Sequence, residues 1–127
     1  MAIFDKLIGR WSPEAALKRC FNKRDLLQEI IAFFFKDADS LLPQIRAALQ
    51  QGDLAEVGRL GHRMKGTLLH LGAEPAKEAA EAVERFMLHA GTQTEAKKAV
   101  RAFERQCKVL RQALSPHRPA ASPAESD

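Results

Sequence analysis

The chain has 127 residues, enough for one domain with a single modest hydrophobic core. A hydrophobic fraction of 46% and a charged fraction of 28% are ordinary for a globular protein. The net charge of +4 permits an anionic partner without requiring one, and lysine and arginine are spread over every predicted helix. We therefore expect a solvated basic surface, with neither a nucleic acid nor a membrane as partner.

The cysteine pattern and the N-terminus indicate a reducing compartment. Cys20 and Cys107 are far apart in the sequence and read as buried small hydrophobic residues. Asp5 and Lys6 interrupt the apolar N-terminal stretch, which is therefore unlike a signal peptide. No run approaches the ~20 apolar residues of a membrane span. We expect a cytoplasmic protein.

Apolar residues recur at helical spacing almost throughout the chain, which predicts an all-α fold. Ser12 and Pro13 are typical of a helix start, and they open a short helix that ends near Cys20. A long helix follows over about 23–50. Pro43 lies inside it and predicts one bent helix rather than two.

Three further helices complete the predicted fold. The third helix covers about 54–71 behind the N-cap Asp53, and the fourth covers about 75–90. The last helix extends to residue 114 behind the N-cap Thr92.

Four principal helices with short loops predict an antiparallel up-down-up-down four-helix bundle over residues 23–114. Residues 1–22 are expected to form a short extra N-terminal helix, or helices, that packs on the bundle. Residues 115–127 are rich in alanine, serine and proline, and we expect a disordered C-terminal tail.

The third helix places one histidine, His62, towards water. At about 100° per residue, His62 lies about 130° from the centre of the apolar stripe, on the same side as Arg59, Arg63 and Gly66. The stripe itself consists of Leu54, Val57, Gly61, Met64, Leu68 and Leu71. A histidine on this face is accessible to another protein.

Two glycines, Gly58 and Gly66, lie one turn before and one turn after His62. Each costs ~1 kcal/mol relative to alanine inside a helix, so two of them around one histidine need a reason. We interpret them as a flat landing surface that leaves the imidazole open to a bulky group on a partner.

Basic side chains around His62 suit phosphoryl transfer. Lys65, three residues later, can reach back towards a phosphoryl group on His62, and Arg59 and Arg63 raise the local positive potential. A neutral imidazole is a competent nucleophile for this reaction.

Residues 62–67 (His-Arg-Met-Lys-Gly-Thr) and residues 71–73 (Leu-Gly-Ala) resemble the signature of histidine-containing phosphotransfer (HPt) domains. The resemblance covers roughly residues 26–86. It implies a helical bundle in which His62 is the phosphoacceptor, Lys65 steadies the phosphoryl group and Gly66 permits receiver docking.

The resemblance also implies the biological setting. The expected protein is a monomeric bacterial phosphorelay intermediate that exchanges phosphoryl groups with receiver domains of response regulators or hybrid histidine kinases. Magnesium belongs to the receiver, so we expect no cofactor or metal on this chain. Some family members place a glutamine near the phosphohistidine; here the following helix offers Glu81, Glu84 and Arg85, to which no partner role is assigned.

Three consecutive phenylalanines, Phe33, Phe34 and Phe35, cannot all face the core because they span about 200° of a helix. Two of them can pack inside while the third covers a neighbouring helix. Alternatively, Phe33 or Phe35 lies beside His62 and joins Leu69 in an apolar docking patch, an arrangement that family docking surfaces resemble.

Several alternatives stay open. The chain could be an HPt-containing fragment of a larger chemotaxis or hybrid sensor kinase, although it carries no glycine-rich phosphate loop for ATP. A non-catalytic helical adaptor, or a nucleic-acid-binding bundle, would explain the charge but not the glycines. Zinc binding by His62 and His70 is disfavoured because about 12 Å of helix axis separates them.

Overall fold

The structure is a computed structural model that describes residues 10–119. Over that range the chain is all-helical and contains no strand. None of its described helices combines the length and the apolar character needed to cross a membrane. The five α-helices are α1 Pro13–Arg19, α2 Arg24–Gln50, α3 Leu54–Leu71, α4 Glu74–Glu84 and α5 Gln93–Leu114.

Capping interactions and backbone conformation explain where α3 begins and ends and where α5 begins. The Asp53 carboxylate accepts from the backbone N–H of Glu56 at 3.2 Å. Thr92 and Glu95 cap each other's backbone N–H groups reciprocally, which satisfies two donors at the start of α5. Gly72 takes a left-handed conformation with φ 67° and ends α3, a conformation that glycine adopts without steric cost.

Helix α2 is one continuous helix that contains Pro43. Proline has no N–H to donate to the carbonyl four residues earlier. Next to it, the side-chain amide of Gln44 donates to the Ser40 carbonyl at 2.9 Å. The alternative of two separate helices does not occur.

The core lies between α2, α3, α4 and α5. Consecutive helices pack on one another, and α5 also packs on α2, which closes the ring. The up-down-up-down order of helix directions stays a prediction. The largest fully buried side chains are Phe34, Phe103, Ile31, Ile45, Met64, Leu68, Leu71 and Leu114.

The fourth predicted helix is shorter than expected. It was predicted to reach about residue 90, but α4 ends at Glu84 and continues as a 3-10 turn over Arg85–Met87. The turn lays the backbone of Met87 against α3 at Gly58. Ala90, expected on the buried stripe, is exposed.

Helix α1 packs on α3 and α2, and the indole N–H of Trp11 donates to the Leu71 carbonyl at 2.8 Å. This contact ties the segment before α1 to the C-terminal end of α3. Residues 1–9, where the sequence predicts further N-terminal helix, lie outside the described residues.

The C-terminal segment does not become irregular at residue 115 as predicted. Ser115–His117 form a 3-10 turn, and the His117 ring packs edge-on against Trp11 with centroids 5.4 Å apart. The Arg118 guanidinium lies 4.3 Å from the centroid of the Phe35 ring. These aromatic contacts hold the segment on the bundle. The rest of the predicted tail, residues 120–127, lies outside the described residues.

Candidate functional site

The structure places His62 on the outer face of α3, with 57% of its side chain exposed. Arg59, Arg63 and Gly66 are also exposed, whereas Gly61 and Met64 are buried against the core. A partner in solution therefore has direct access to the ring.

Glu84, the last residue of α4, lies between His62 and Lys65. One carboxylate oxygen, Oε2, contacts Nδ1 of His62, and the other, Oε1, accepts from Nζ of Lys65 at 2.9 Å. Only 19% of the Glu84 side chain is exposed. We call these three residues the His62–Glu84–Lys65 cluster; it joins the two helices at the exposed edge of their interface.

The cluster keeps Glu84 ionised. The hydrogen bond with His62 has the largest effect on the pKa of the Glu84 carboxyl and lowers it. Partial burial opposes this effect, because it raises the pKa, whereas the hydrogen bond and the positive charge of Lys65 lower it. Together these effects hold the pKa of Glu84 below its usual range. Glu84 is therefore a carboxylate at neutral pH.

An ionised carboxylate fixes which nitrogen of the His62 ring carries the proton. A carboxylate has only acceptor atoms, so the Nδ1 that contacts Glu84 must be the donor. In the neutral imidazole the other nitrogen, Nε2, then holds the lone pair. Within residues 10–119, Nε2 has no hydrogen-bond partner, which leaves it free to act as a nucleophile.

The prediction that Gly58 belongs to an exposed landing surface is wrong. Gly58 is buried, and a Cβ atom placed on it would lie 2.7 Å from Cα of Met87. Its lack of a side chain permits the 3-10 turn after α4 to approach α3. Gly66 differs, because it is exposed and an added Cβ would have no neighbouring atom within 4 Å.

A second buried glycine, Gly61, precedes His62 directly. An added Cβ there would lie 2.7 Å from Cγ1 of Val83, the residue before Glu84. The close contact of α3 and α4 at Gly61 therefore involves the sequence neighbours of His62 and Glu84. We conclude that this contact sets the distance over which Glu84 reaches His62.

The three phenylalanines of α2 divide between core and surface. Phe33 is 56% exposed, whereas Phe34 is fully buried and Phe35 is 2% exposed. Phe35 packs against Phe34 and lies under the Arg118 guanidinium, so its prediction as a docking residue is wrong. Phe33 and Leu69 are both exposed and are the remaining candidates for an apolar docking patch.

The two predicted arginines are exposed but differ in their surroundings. Arg59 forms an ion pair with Glu56 at 2.9 Å, one turn earlier on α3. Arg63 forms no ion pair with any residue of the described range. The Thr67 hydroxyl donates a hydrogen bond to the Asp37 carboxylate of α2 at 3.3 Å, which links α3 to α2.

Glu84 is the candidate site residue that sequence reasoning missed. The sequence does place it among three charged residues on the helix after His62. Which of them faces the imidazole depends on the register of α4 against α3, and Gly58 and Gly61 set that register by close approach. In the described part of the chain, no three His, Cys, Asp or Glu side chains form a group that could hold a metal ion.

Comparison with protein families gives one finding. The family model described as "Hpt domain" matches residues 29–115, more than half of the chain, from the first turns of α2 past the end of α5. The matched range contains the whole His62–Glu84–Lys65 cluster. Comparisons with curated proteins and with solved structures give no match.

Proposed function

The chain belongs to the Hpt domain family, and from this premise we propose that His62 accepts a phosphoryl group from a receiver-domain aspartyl phosphate and passes it to another receiver aspartate. The observation that supports this role is an exposed imidazole whose Nδ1 is held by a carboxylate, leaving Nε2 unpartnered within the described residues.

The proposed transfer begins with attack of the Nε2 lone pair on phosphorus. The bond between phosphorus and the aspartyl oxygen breaks, and its electron pair stays on the receiver carboxylate. The phosphorylated ring keeps its proton on Nδ1 and gains positive charge, which the Glu84 carboxylate stabilises. Transfer to the second receiver reverses these steps.

Lys65 is the proposed source of electrostatic stabilisation. Its ammonium group donates a hydrogen bond to Glu84, whose other carboxylate oxygen contacts Nδ1 of the imidazole. We propose that Lys65 steadies Glu84 in the free protein and the phosphoryl oxygens after transfer.

The receiver is proposed to dock on the outer face of α3 and the adjoining part of α2. Gly66 has no side chain to obstruct the surface beside His62, and Phe33 and Leu69 supply exposed apolar area. Arg63 and Arg59 add positive charge that favours the acidic site of a phosphorylated receiver.

The setting of the reaction is also part of the proposal. We propose a monomeric, cytoplasmic, bacterial protein that requires no cofactor of its own, with Mg²⁺ bound by the receiver. If the chain is part of a chemotaxis or hybrid sensor kinase, the same chemistry at His62 is expected.

A transfer assay tests the proposal. The protein is incubated with a radiolabelled phosphorylated receiver, and acid-labile phosphate on the protein is expected. His62→Gln should abolish the label. His70→Gln is the matched control, because His70 is exposed on the same helix and should leave labelling unchanged. Label that persists on the His62→Gln variant would refute the proposal.

A further inference from the structure

Helix α5 presents a strongly basic face to solvent. Its basic residues outside the interface with α2 are all exposed, and none of them forms an ion pair with any residue in 10–119. We call this set the α5 basic face; it consists of Lys97, Lys98, Arg101, Arg105 and Lys108.

These five residues occupy one side of the helix. At about 100° per residue they fall within an arc of about 100°, centred about 150° from the buried stripe of α5. No acidic residue of α5 lies in this arc. Glu104 lies outside it and pairs with Arg46 of α2 at 2.6 Å, and Arg111, also outside it, pairs with Asp39.

A helix face that only contacts solvent is expected to carry both acidic and basic residues. On the α5 basic face, residues three and four apart carry the same charge and repel one another. Acidic or neutral residues at these exposed positions would remove the repulsion without touching the core. An anionic partner would offset this cost.

A groove extends the basic face towards α2. It has a volume of about 330 Å³ and lies between the C-terminal end of α2 and the N-terminal part of α5. Its charged lining residues are Lys97 and Arg101 of the basic face and Arg46, whose charge is offset by its ion pair with Glu104. The groove gives the positive surface a concave end in which an anionic chain can lie.

The α5 basic face is separate from the phosphotransfer site. Helix α5 packs on α2 and α4, the same two helices that flank α3, and its basic face points away from the bundle. The function proposed for His62 therefore makes no use of it.

In contrast to the expectation from composition, which excluded a nucleic acid as partner, we propose that the α5 basic face binds the phosphate backbone of duplex DNA without sequence preference. A basic face on a chain with a pI of about 9.3 is the electrostatic footprint of such binding. From residue 97 to residue 108 the row is about 16 Å long, against a major-groove width of about 12 Å. It can therefore contact phosphates on both edges of the groove.

Two other anionic partners fit the face less well. A membrane-surface helix inserts an apolar side, but the apolar side of α5 is buried in the core. Interfaces with proteins centre on aromatic and apolar anchors, and the α5 basic face contains none; Val109 lies only at its edge.

Fluorescence anisotropy with two labelled 25-base-pair duplexes of unrelated sequence tests this proposal on the full chain. Both duplexes should bind equally at 50 mM salt. With five phosphate contacts, the logarithm of affinity should fall against the logarithm of salt concentration with a slope of about −4.5, or about 500-fold between 50 and 200 mM.

The variant Arg101→Glu/Arg105→Glu should weaken binding at least tenfold and reduce the slope by about 2. The control Lys18→Glu/Lys36→Glu makes the same charge change at exposed positions of α1 and α2 and should change affinity less than twofold. All variants should keep wild-type helicity and His62 labelling, so a failure of this proposal is distinct from a failure of the phosphotransfer proposal.

Two results would overturn the proposal. The first is no binding of either duplex at 50 mM salt; sedimentation with phosphatidylserine vesicles, or capture by a poly-glutamate peptide, would then assign the face to another anionic partner. The second is equal weakening by the two double variants, which would indicate bulk charge alone.

Discussion

A carboxylate in contact with one nitrogen of an exposed imidazole determines which nitrogen carries the proton and which keeps the lone pair. In this protein Glu84 holds Nδ1 of His62 and Lys65 holds Glu84, so two contacts decide the orientation of one ring. A surface histidine without such contacts samples both tautomers and several rotamers. The cluster therefore supplies preorganisation as well as charge.

Replacing Glu84 tests the contribution of its charge. Glu84→Gln keeps an oxygen acceptor for the Nδ1 proton but removes the negative charge, and we expect transfer to slow by about 10- to 100-fold. Glu84→Ala should slow it further because the ring also loses its orientation. Single-turnover rates from a phosphorylated receiver measure both effects; Glu81→Gln on the same helix is the control. Equal rates in wild type and Glu84→Gln would contradict the assigned role.

Because the pKa of Glu84 is lowered in the folded state, the free energy of unfolding should depend on pH. Contacts in the folded state lower the pKa of Glu84, so its contribution to the free energy of unfolding is complete above the ordinary glutamate pKa. That contribution is lost as pH falls through the lower, folded-state value. Urea unfolding between pH 7 and pH 3 should therefore show a smaller loss of stability for Glu84→Gln than for wild type, and parallel curves would be inconsistent with this linkage.

The glycines of α3 should respond oppositely to alanine. Gly66→Ala meets open space and should stabilise the protein by up to about 1 kcal/mol, because alanine is the better helix former. Gly61→Ala meets Val83 and should destabilise it by about 1–3 kcal/mol. Urea unfolding distinguishes the two signs.

The rate of phosphoryl transfer provides a second test of the Gly61→Ala variant. Gly61→Ala should also slow transfer, since separating α3 from α4 moves Glu84 away from His62. A stable Gly61→Ala variant with a normal rate would contradict the positioning argument.

At the scale of the helices, spacing alone predicts much of the fold. The bounds of α2, α3 and α5 follow from apolar periodicity and from caps such as Asp53 and Thr92, because these are local interactions. The end of α4 and the role of Glu84 do not follow, because they depend on a tertiary contact between Gly58 and the turn after α4. The Gly58 prediction failed for the same reason: one helix does not show which neighbour covers its glycine.

Two neighbouring phenylalanines of α2 provide a matched pair at this scale. Phe35→Ala removes a buried ring and should cost about 3–5 kcal/mol of stability. Phe33→Ala removes an exposed ring and should change stability by no more than about 0.5 kcal/mol, yet weaken receiver binding. Thermal unfolding and titration with a receiver separate the effects. Unchanged receiver affinity of Phe33→Ala would remove Phe33 from the docking patch.

At the scale of the whole molecule, the closed ring of helices carries two chemically distinct surfaces. The His62–Glu84–Lys65 cluster lies at the edge between α3 and α4, and the basic face of α5 lies on a helix that shares both neighbours of α3. The net charge predicts a basic protein, and the sequence analysis found lysine and arginine in every predicted helix. The structure concentrates five cations on one side of α5, an arrangement that follows from the register of that helix on its core.

The burial of both cysteines also belongs to this scale. Cys20 and Cys107 are buried, as the sequence predicts, and burial raises the pKa of the Cys107 thiol to about 12. The Cys107 thiol is therefore inert in the folded molecule. The exposed side chain proposed as the nucleophile is the imidazole of His62.

The central claim is that Nε2 of His62 receives the phosphoryl group while Nδ1 stays protonated against Glu84. Phosphorus–nitrogen couplings, measured by NMR on protein labelled with ¹⁵N at histidine and phosphorylated by a receiver, test it most directly. We expect coupling of phosphorus to Nε2 of His62 and a proton on Nδ1. Coupling to Nδ1, or phosphorus on any other residue, would contradict it.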